Sequence, residues 1–560
     1  MKFPVVSENQ DVNYTPLAML YHWEDTRPED VYLTQPVDGQ YKTYTFAQVA
    51  DMARRIAGAL AKRNISAGSR IGIFAKNCAE WFILDLGIMM AGHVSVPVFA
   101  SAGGETLNYV IRHADIKLLF VGKLDNPPLQ LPTIPDSLPT VALPYPGIPA
   151  QTQWSDFIDC DPIAYSPDRD FDDIMTIIYT SGSTGEPKGV VHSFRTLCWA
   201  AANSLESITF GRTDRMMSYL PLAHITERVL VEVGSFYSGG QIFFVESLDT
   251  FQRDVQHCQP TVFVSVPRLW TKFQQGILAK MPQKKLSVLL KIPFVRGRVQ
   301  KKIKEGLGLA QARLFASGSA PLAPPVIHWF YRVGIPICEG WGMTENCAYG
   351  TACLPFNKEK IGKIGRPYKG VDIILSDEQE ILVKSPCNMV SYYLDPAKTA
   401  AAYNEDGYLR TGDKGDIDAE GYVRITGRLK DIFKTEKGKY VTPAPIEGRI
   451  MENAAIEQVC VVGTGLPQPI ALVVLTEEAK KQAKNEMETR LSSTLQATNS
   501  LLESHQKLDR MLVIDEEWTI ENDLLTPTLK VKRHILESRY KEIILADYSH
   551  TVEWVSVKSR

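Results

Sequence analysis

Between residues 45 and 122 the apolar residues recur with a helical period, then a strand period, then a helical one again. Phe46, Val49, Ala53, Ile56 and Leu60 share one face of a helix over 45–63, and Thr45 and Gln48 stand at capping-box spacing at its start. A short apolar run follows at Ile71 to Phe74. Trp81 to Ala91 reads as a second helix, and His93 to Phe99 and Ile116 to Gly122 read as strands. Strands that alternate with helices pair in parallel and need cover on both faces, which predicts an α/β fold. The same alternation resumes at Ile174 and runs to about residue 390.

From residue 406 the texture changes. DGYLRTGDKGDIDAEGYVRITGR is dense in glycine and aspartate and predicts short strands joined by tight turns. Beyond Arg428 a smaller α+β piece is expected, with VCVVGTG and ALVVLT as strands and one helix over about 477–508. The main boundary falls at Gly427 to Asp431. This gives a large unit over 1–427, a connection over 428–433 and a small unit over 434–560.

Composition narrows the function. A net charge of -3 gives no global field that points to nucleic acid. The nine cysteines are scattered from Cys78 to Cys460 without a C-x-x-C pair, which suits a reducing cytoplasm better than a disulfide framework or a zinc site. MKFPVVSENQ lacks the basic-then-apolar pattern of a secretory signal. The most apolar stretch, Trp81 to Ala91, is interrupted by Asp85 and is far short of the ~20 residues of a membrane span. One segment stands apart: Lys280 to Lys304 holds nine lysines and arginines, no acid, and apolar residues from Leu286 to Val295. Such a run fits either a solvated helix pair or a peripheral contact with an anionic membrane.

The chemistry begins at Tyr179-Thr-Ser-Gly-Ser-Thr-Gly-Glu-Pro-Lys-Gly189, set between apolar runs. A loop rich in glycine and hydroxyls can turn amide and side-chain donors toward phosphate oxygens, with Lys188 as a point charge. It contains no Walker A pattern. Composition alone would equally allow a surface turn. Further segments follow in chain order: Tyr219-Leu-Pro-Leu-Ala-His224, Ser317-Gly-Ser-Ala-Pro321, Gly340-Trp-Gly-Met-Thr-Glu345, Tyr408-Leu-Arg-Thr-Gly-Asp413, Gly427-Arg-Leu-Lys-Asp431 and Leu525-Thr-Pro-Thr-Leu-Lys-Val-Lys-Arg533.

Together these resemble the motifs of the adenylate-forming superfamily, which includes acyl-CoA synthetases, firefly-type luciferases and peptide-synthetase adenylation domains. Within it, YLPLAHITER, KTEKGKYVTPAPIE and LTPTLKVKR are most similar to long-chain fatty-acid–CoA ligases. The resemblance implies two α/β subdomains and a small β-barrel-like subdomain in the N-terminal region, followed by a mobile α+β C-terminal domain. It also implies ATP, magnesium and coenzyme A as partners of a fatty acid.

Site roles follow from the same resemblance. Thr180, Ser181, Gly182, Ser183, Thr184, Gly185 and Lys188 would bind phosphates. Ser319, Ala320, Glu339, Gly340, Trp341, Gly342 and Met343 would line the nucleotide pocket, with Trp341 stacked on adenine where most members have tyrosine. His224 would lie near the acyl carboxylate and Thr344 at the α-phosphate. Glu345, joined by Thr184, would hold magnesium. Asp413 would take the ribose hydroxyls, as a carboxylate suits a cis-diol, and Arg428 would reach ribose or phosphate. Lys530 would contact the carboxylate and α-phosphate, with Lys532 as the alternative because Leu529 replaces the usual glycine. Lys430 would be the hinge, and Gly438, Lys439 and Tyr440 would line a coenzyme A channel.

The implied reaction forms an acyl-adenylate and then a thioester with coenzyme A. The alternative is an enzyme that stops at the adenylate or hands it to a carrier-protein thiol. Neither a monomer nor a dimer is singled out.

Overall fold

The computed structural model describes residues 12–124, 127–164, 166, 168–181, 186–526 and 530–557. An eight-stranded sheet organises the N-terminal part. Arg70–Ala75 lies in parallel between Val94–Val98 and Ile116–Gly122, and Ile174–Ser181 joins parallel beyond Val94–Val98. Alternate residues face opposite sides, as strand geometry requires. Ile71, Ile73 and Phe120 enter one core with the helices Phe46–Ala61, Ala79–Met90 and Phe194–Ile208, whereas Phe74, Leu119 and Val121 enter another with the helix Gly104–His113. The capping box at Thr45 and Gln48 is formed.

Asp85, in the middle of the most apolar helix, is fully buried. Both its oxygens accept from Nη2 of Arg228, at 3.0 and 3.1 Å, and Nη1 of Arg228 reaches Glu232 at 2.9 Å. Arg228 and Glu232 belong to Glu227–Val233, a π-helical stretch just after His224. Widened turns of this kind recur at functional sites.

A second, four-stranded sheet pairs Val31–Val37 with Gln241–Phe244, and a third aligns Val262–Ser265, Leu314–Ser317 and Ile337–Trp341 in parallel. The piece expected to be barrel-like is an antiparallel sheet of Asp372–Leu375, Glu380–Lys384, Leu409–Ile417 and Val423–Arg428.

After Asp431 the chain builds separate cores. Ile456–Val462, Ile470–Leu475, Met511–Ile514 and Val552–Val555 form one sheet. The helices Pro443–Ile450 and Lys484–Asn499 cover one face, and Arg533–Arg539 the other. The single helix expected over 477–508 is instead two, Glu477–Lys480 and Lys484–Asn499. The second stops where the Asn499 side chain clamps Leu508, accepting from its amide and donating to its carbonyl, each at 2.8 Å. That local competition for backbone groups favours a turn over another helical turn.

Candidate active site

The glycine-rich segment bridges two antiparallel strands, Ile174–Ser181 and Pro187–Ser193, with Thr180 paired to Lys188 and the Ser181 backbone to Pro187. Gly182, Ser183, Thr184 and Gly185 lie outside the described residues. The Lys188 ammonium sits 5.0 Å over the Tyr392 ring. Its pKa is lowered by burial and by nearby Lys430, while Glu345 pulls the other way. The Tyr392 hydroxyl donates to Oε1 of Glu345 at 2.8 Å. Tyr392 reaches this place because Ser391–Tyr392 adds to the sheet edge beside Val190 and Val191. No motif in the sequence marks it.

Thr344 is held from behind. Nε2 of His192 donates to the Thr344 carbonyl at 2.8 Å, which leaves Nδ1 an acceptor 3.4 Å from the Cys347 thiol. Burial lowers the His192 pKa to about 4, so the ring is neutral near pH 7. Gly342 is required by close approach, since a Cβ there would lie 2.4 Å from the Ala348 backbone.

Trp341 ends the strand Ile337–Trp341. Its indole N–H donates to Oδ2 of Asp413 at 2.9 Å, while Oδ1 accepts from Nε of Arg428 at 2.7 Å. Asp413 and Arg428 face each other across paired strands. Ser319 adopts φ +66, an uncommon conformation for a side-chain-bearing residue that concentrates at functional loops. Glu339 lies beneath this loop with an oxygen 3.4 Å from the Leu322 amide, and burial raises its carboxyl to about 7.

His224 follows a loop pinned by Asn77. The Asn77 amide donates to the Leu220 carbonyl at 2.6 Å and to Ser218 Oγ at 2.9 Å, and its oxygen accepts from the Leu222 amide. Nδ1 of His224 accepts from the Thr226 amide at 3.3 Å, leaving Nε2–H as the donor of a neutral ring. Burial and then nearby Lys530 lower the His224 pKa to about 4.

Lys530 comes from the C-terminal part, where its carbonyl accepts from the Thr526 amide at 2.8 Å. Its ammonium pKa is lowered by loss of hydration and by Arg428, with Asp413, Glu345 and Asp431 opposing. The residue itself is exposed. Lys532 is instead paired with Asp523 on its own domain. A further contact joins the two parts: Arg268 reaches Glu457 at 2.5 Å.

Lys188, His224, Thr344, Glu345, Trp341, Asp413, Arg428 and Lys530 therefore converge. Gly438, Lys439 and Tyr440 do not: they form an exposed hairpin turn between Phe433–Lys434 and Tyr440–Val441, with Gly438 at φ +74. Lys430 is exposed in the short turn Leu429–Asp431.

A family model described as AMP-binding enzyme matches residues 20–393, and one described as AMP-binding enzyme C-terminal domain matches 430–552. The chain belongs to the AMP-binding enzyme family. Among similar members, a long-chain-fatty-acid–CoA ligase of Mycobacterium bovis is 27% identical, with 95% of this chain and 96% of that one covered. Fatty acyl-CoA synthetase A of Dictyostelium discoideum is 30% identical, with 90% and 86% covered. Long-chain-fatty-acid–CoA ligase 1 of Homo sapiens is 28% identical, with 91% and 83% covered. The fold is that of solved AMP-binding enzymes. The adenylation domain of a carboxylate reductase from Mycobacterium chelonae aligns with TM-score 0.80 at 20% identity, covering 95% of this chain and 91% of that one. An anthranilate CoA ligase in complex with anthranoyl-AMP aligns with TM-score 0.75 at 21% identity, covering 94% and 97%.

Proposed function

We propose that this AMP-binding enzyme activates a long-chain fatty acid with ATP and transfers the acyl group to coenzyme A. The observation that carries the reading is the approach of Lys530 to His224, Arg428, Asp413 and Glu345. The names of relatives that align over nearly the whole chain support the acid and the thiol acceptor.

In the first half-reaction the fatty-acid carboxylate attacks the α-phosphorus of ATP and pyrophosphate leaves. Two anions must meet, so charge must be offset and the reacting atoms held in line. Lys530 supplies a positive charge at the carboxylate and α-phosphate. His224 offers a neutral Nε2–H as a hydrogen-bond donor to the same carboxylate. Asp413 turns its remaining lone pairs to the ribose hydroxyls, Trp341 stacks on adenine, and Lys188 holds the outer phosphates.

Glu345 suits magnesium: Tyr392 orients one of its oxygens, and this ion is commonly held by one or two carboxylates together with substrate phosphates and water. Among the described residues no group of three or more His, Cys, Asp or Glu could cage a metal, in keeping with an ion held largely by the nucleotide. When bound, magnesium neutralises phosphate charge.

In the second half-reaction the coenzyme A thiol attacks the acyl carbonyl and AMP leaves. Residues 1–427 and 434–560 act as two bodies joined by 428–433. Lys430 is the swivel that withdraws Lys530 and brings the Gly438 to Tyr440 turn to the thiol path. The reaction belongs in the cytoplasm, which the nine free cysteines support, with the basic segment 280–304 against the membrane that holds the acid.

The test is incubation with ATP, magnesium and straight-chain acids from C2 to C20, with and without coenzyme A, following pyrophosphate, AMP and acyl-CoA. Acyl-CoA peaking at the long acids is the expected result. Pyrophosphate without thioester would replace coenzyme A with another acceptor, and no pyrophosphate with any acid would overturn the reading.

A further inference from the structure

The segment 280–304 folds as an elbow between two helices, Gln283–Leu289 and Val295–Leu307. Its inner side is anchored: Leu286 and Ile303 are buried, and Trp329 donates its indole N–H to Gln283 at 2.8 Å. Its outer side is unlike ordinary surface. Phe294, at the bend, is 90% exposed, with Val288 at 60% and Ile292 at 42%. Phe294 also has φ +64, a strained conformation for an aromatic residue, and that strain brings it no packing. Exposed lysines and arginines flank these apolar residues, among them Lys284, Lys285, Lys291, Arg296 and Arg298.

We infer that this elbow docks on an anionic lipid bilayer, with Phe294 as the inserted wedge and the lysines on the headgroups. Basic residues around exposed apolar side chains match the two layers of such a surface, charged headgroups over hydrocarbon. A polyanion such as nucleic acid would use the charges and leave Phe294 unexplained. No helix among the described residues is long and apolar enough to cross a membrane, so the contact is peripheral. The helix Pro267–Lys280 carries Arg268, which meets Glu457 of the C-terminal part, at one end and leads into the elbow at the other, ~20 Å away. Docking thus leaves that domain free to move. The inference rests on the fatty-acid reading, because such acids partition into membranes.

Vesicle pelleting with the full chain tests it, using phosphatidylcholine alone and phosphatidylcholine with phosphatidylglycerol. No ATP or acid is needed, so this result stands apart from the ligase reading. The parent protein should pellet with the anionic vesicles, and high salt should release it. Changing Lys284, Lys285 and Lys291 to glutamine should weaken partitioning ~100-fold. Phe294→Gly should weaken it several-fold without lowering Tm, since glycine relieves the positive φ. Turnover of a dissolved medium-chain acid should not change in either variant. Absence of pelleting by the parent, or equal pelleting by the variants, would overturn the docking. So would sedimentation showing that Phe294→Gly converts a dimer to a monomer, which would make the elbow a face between two copies.

Discussion

The indole N–H of Trp341 donates to Oδ2 of Asp413 at 2.9 Å, and the other oxygen of that carboxylate accepts from Arg428 at 2.7 Å. The residue proposed to stack on adenine thus also orients the one proposed to hold ribose. Trp341→Phe keeps the aromatic face and removes the donor. Losing one partner of a buried carboxylate costs about 1–3 kcal/mol. We expect KM for ATP to rise ~5- to 100-fold while KM for the acid stays near its original value. Steady-state kinetics with each substrate varied checks this.

His192 touches no substrate in this account and positions Thr344 through its carbonyl. His192→Ala leaves that carbonyl unpaired and should lower kcat ~10-fold or more with little change in KM for the acid. His192→Gln, which can restore an N–H donor, should recover part of the loss. Equal kinetics for both variants would remove the positioning role.

Glu227 gives a stability prediction with a definite sign. It is buried, its Oε1 accepts from Ser218 and the Tyr219 amide, and burial raises its pKa from 4.5 to about 8. The folded state therefore binds a proton that the unfolded state has lost, and stability falls as pH rises from 4.5 through 8. His192 and His224, with lowered pKa, act in the opposite sense only below about 6.5. Between pH 6.5 and 8.5 the parent should lose up to about 2 kcal/mol that Glu227→Gln retains. Denaturant unfolding of both proteins at the two pH values measures the difference.

The Arg268–Glu457 pair joins the body to the domain that carries Lys530. It is solvent-exposed, so it contributes no more than about 1 kcal/mol. Arg268→Gln should slow adenylation by up to ~5-fold, leave thioester formation from supplied acyl-adenylate unchanged or faster, and abolish part of the salt dependence of the first step. Separate assays of the two half-reactions, at low and high salt, decide it.

The alternation of strand and helix from residue 45 was readable because a period of 2 or 3.6 is a local property. The site motifs were readable because each is a contiguous string, and six of them meet in space. Tyr392, His192 and Asn77 were not, since each acts on a segment far away along the chain. The likeness of Trp341 to the usual tyrosine predicted a stacking face, but its bond to Asp413 depends on how two sheets meet. The helix expected to run to 508 stops at Asn499, whose side chain finds a partner in Leu508 that no periodicity reports.

The most direct test of the account is Lys530→Ala assayed in each half-reaction. If the C-terminal domain delivers Lys530 for adenylation and then withdraws it, ATP–pyrophosphate exchange with a long-chain acid should fall ~100- to 1,000-fold. Conversion of supplied acyl-adenylate to acyl-CoA should remain within a few-fold of the parent. Equal loss in both steps, or undiminished exchange, would contradict it.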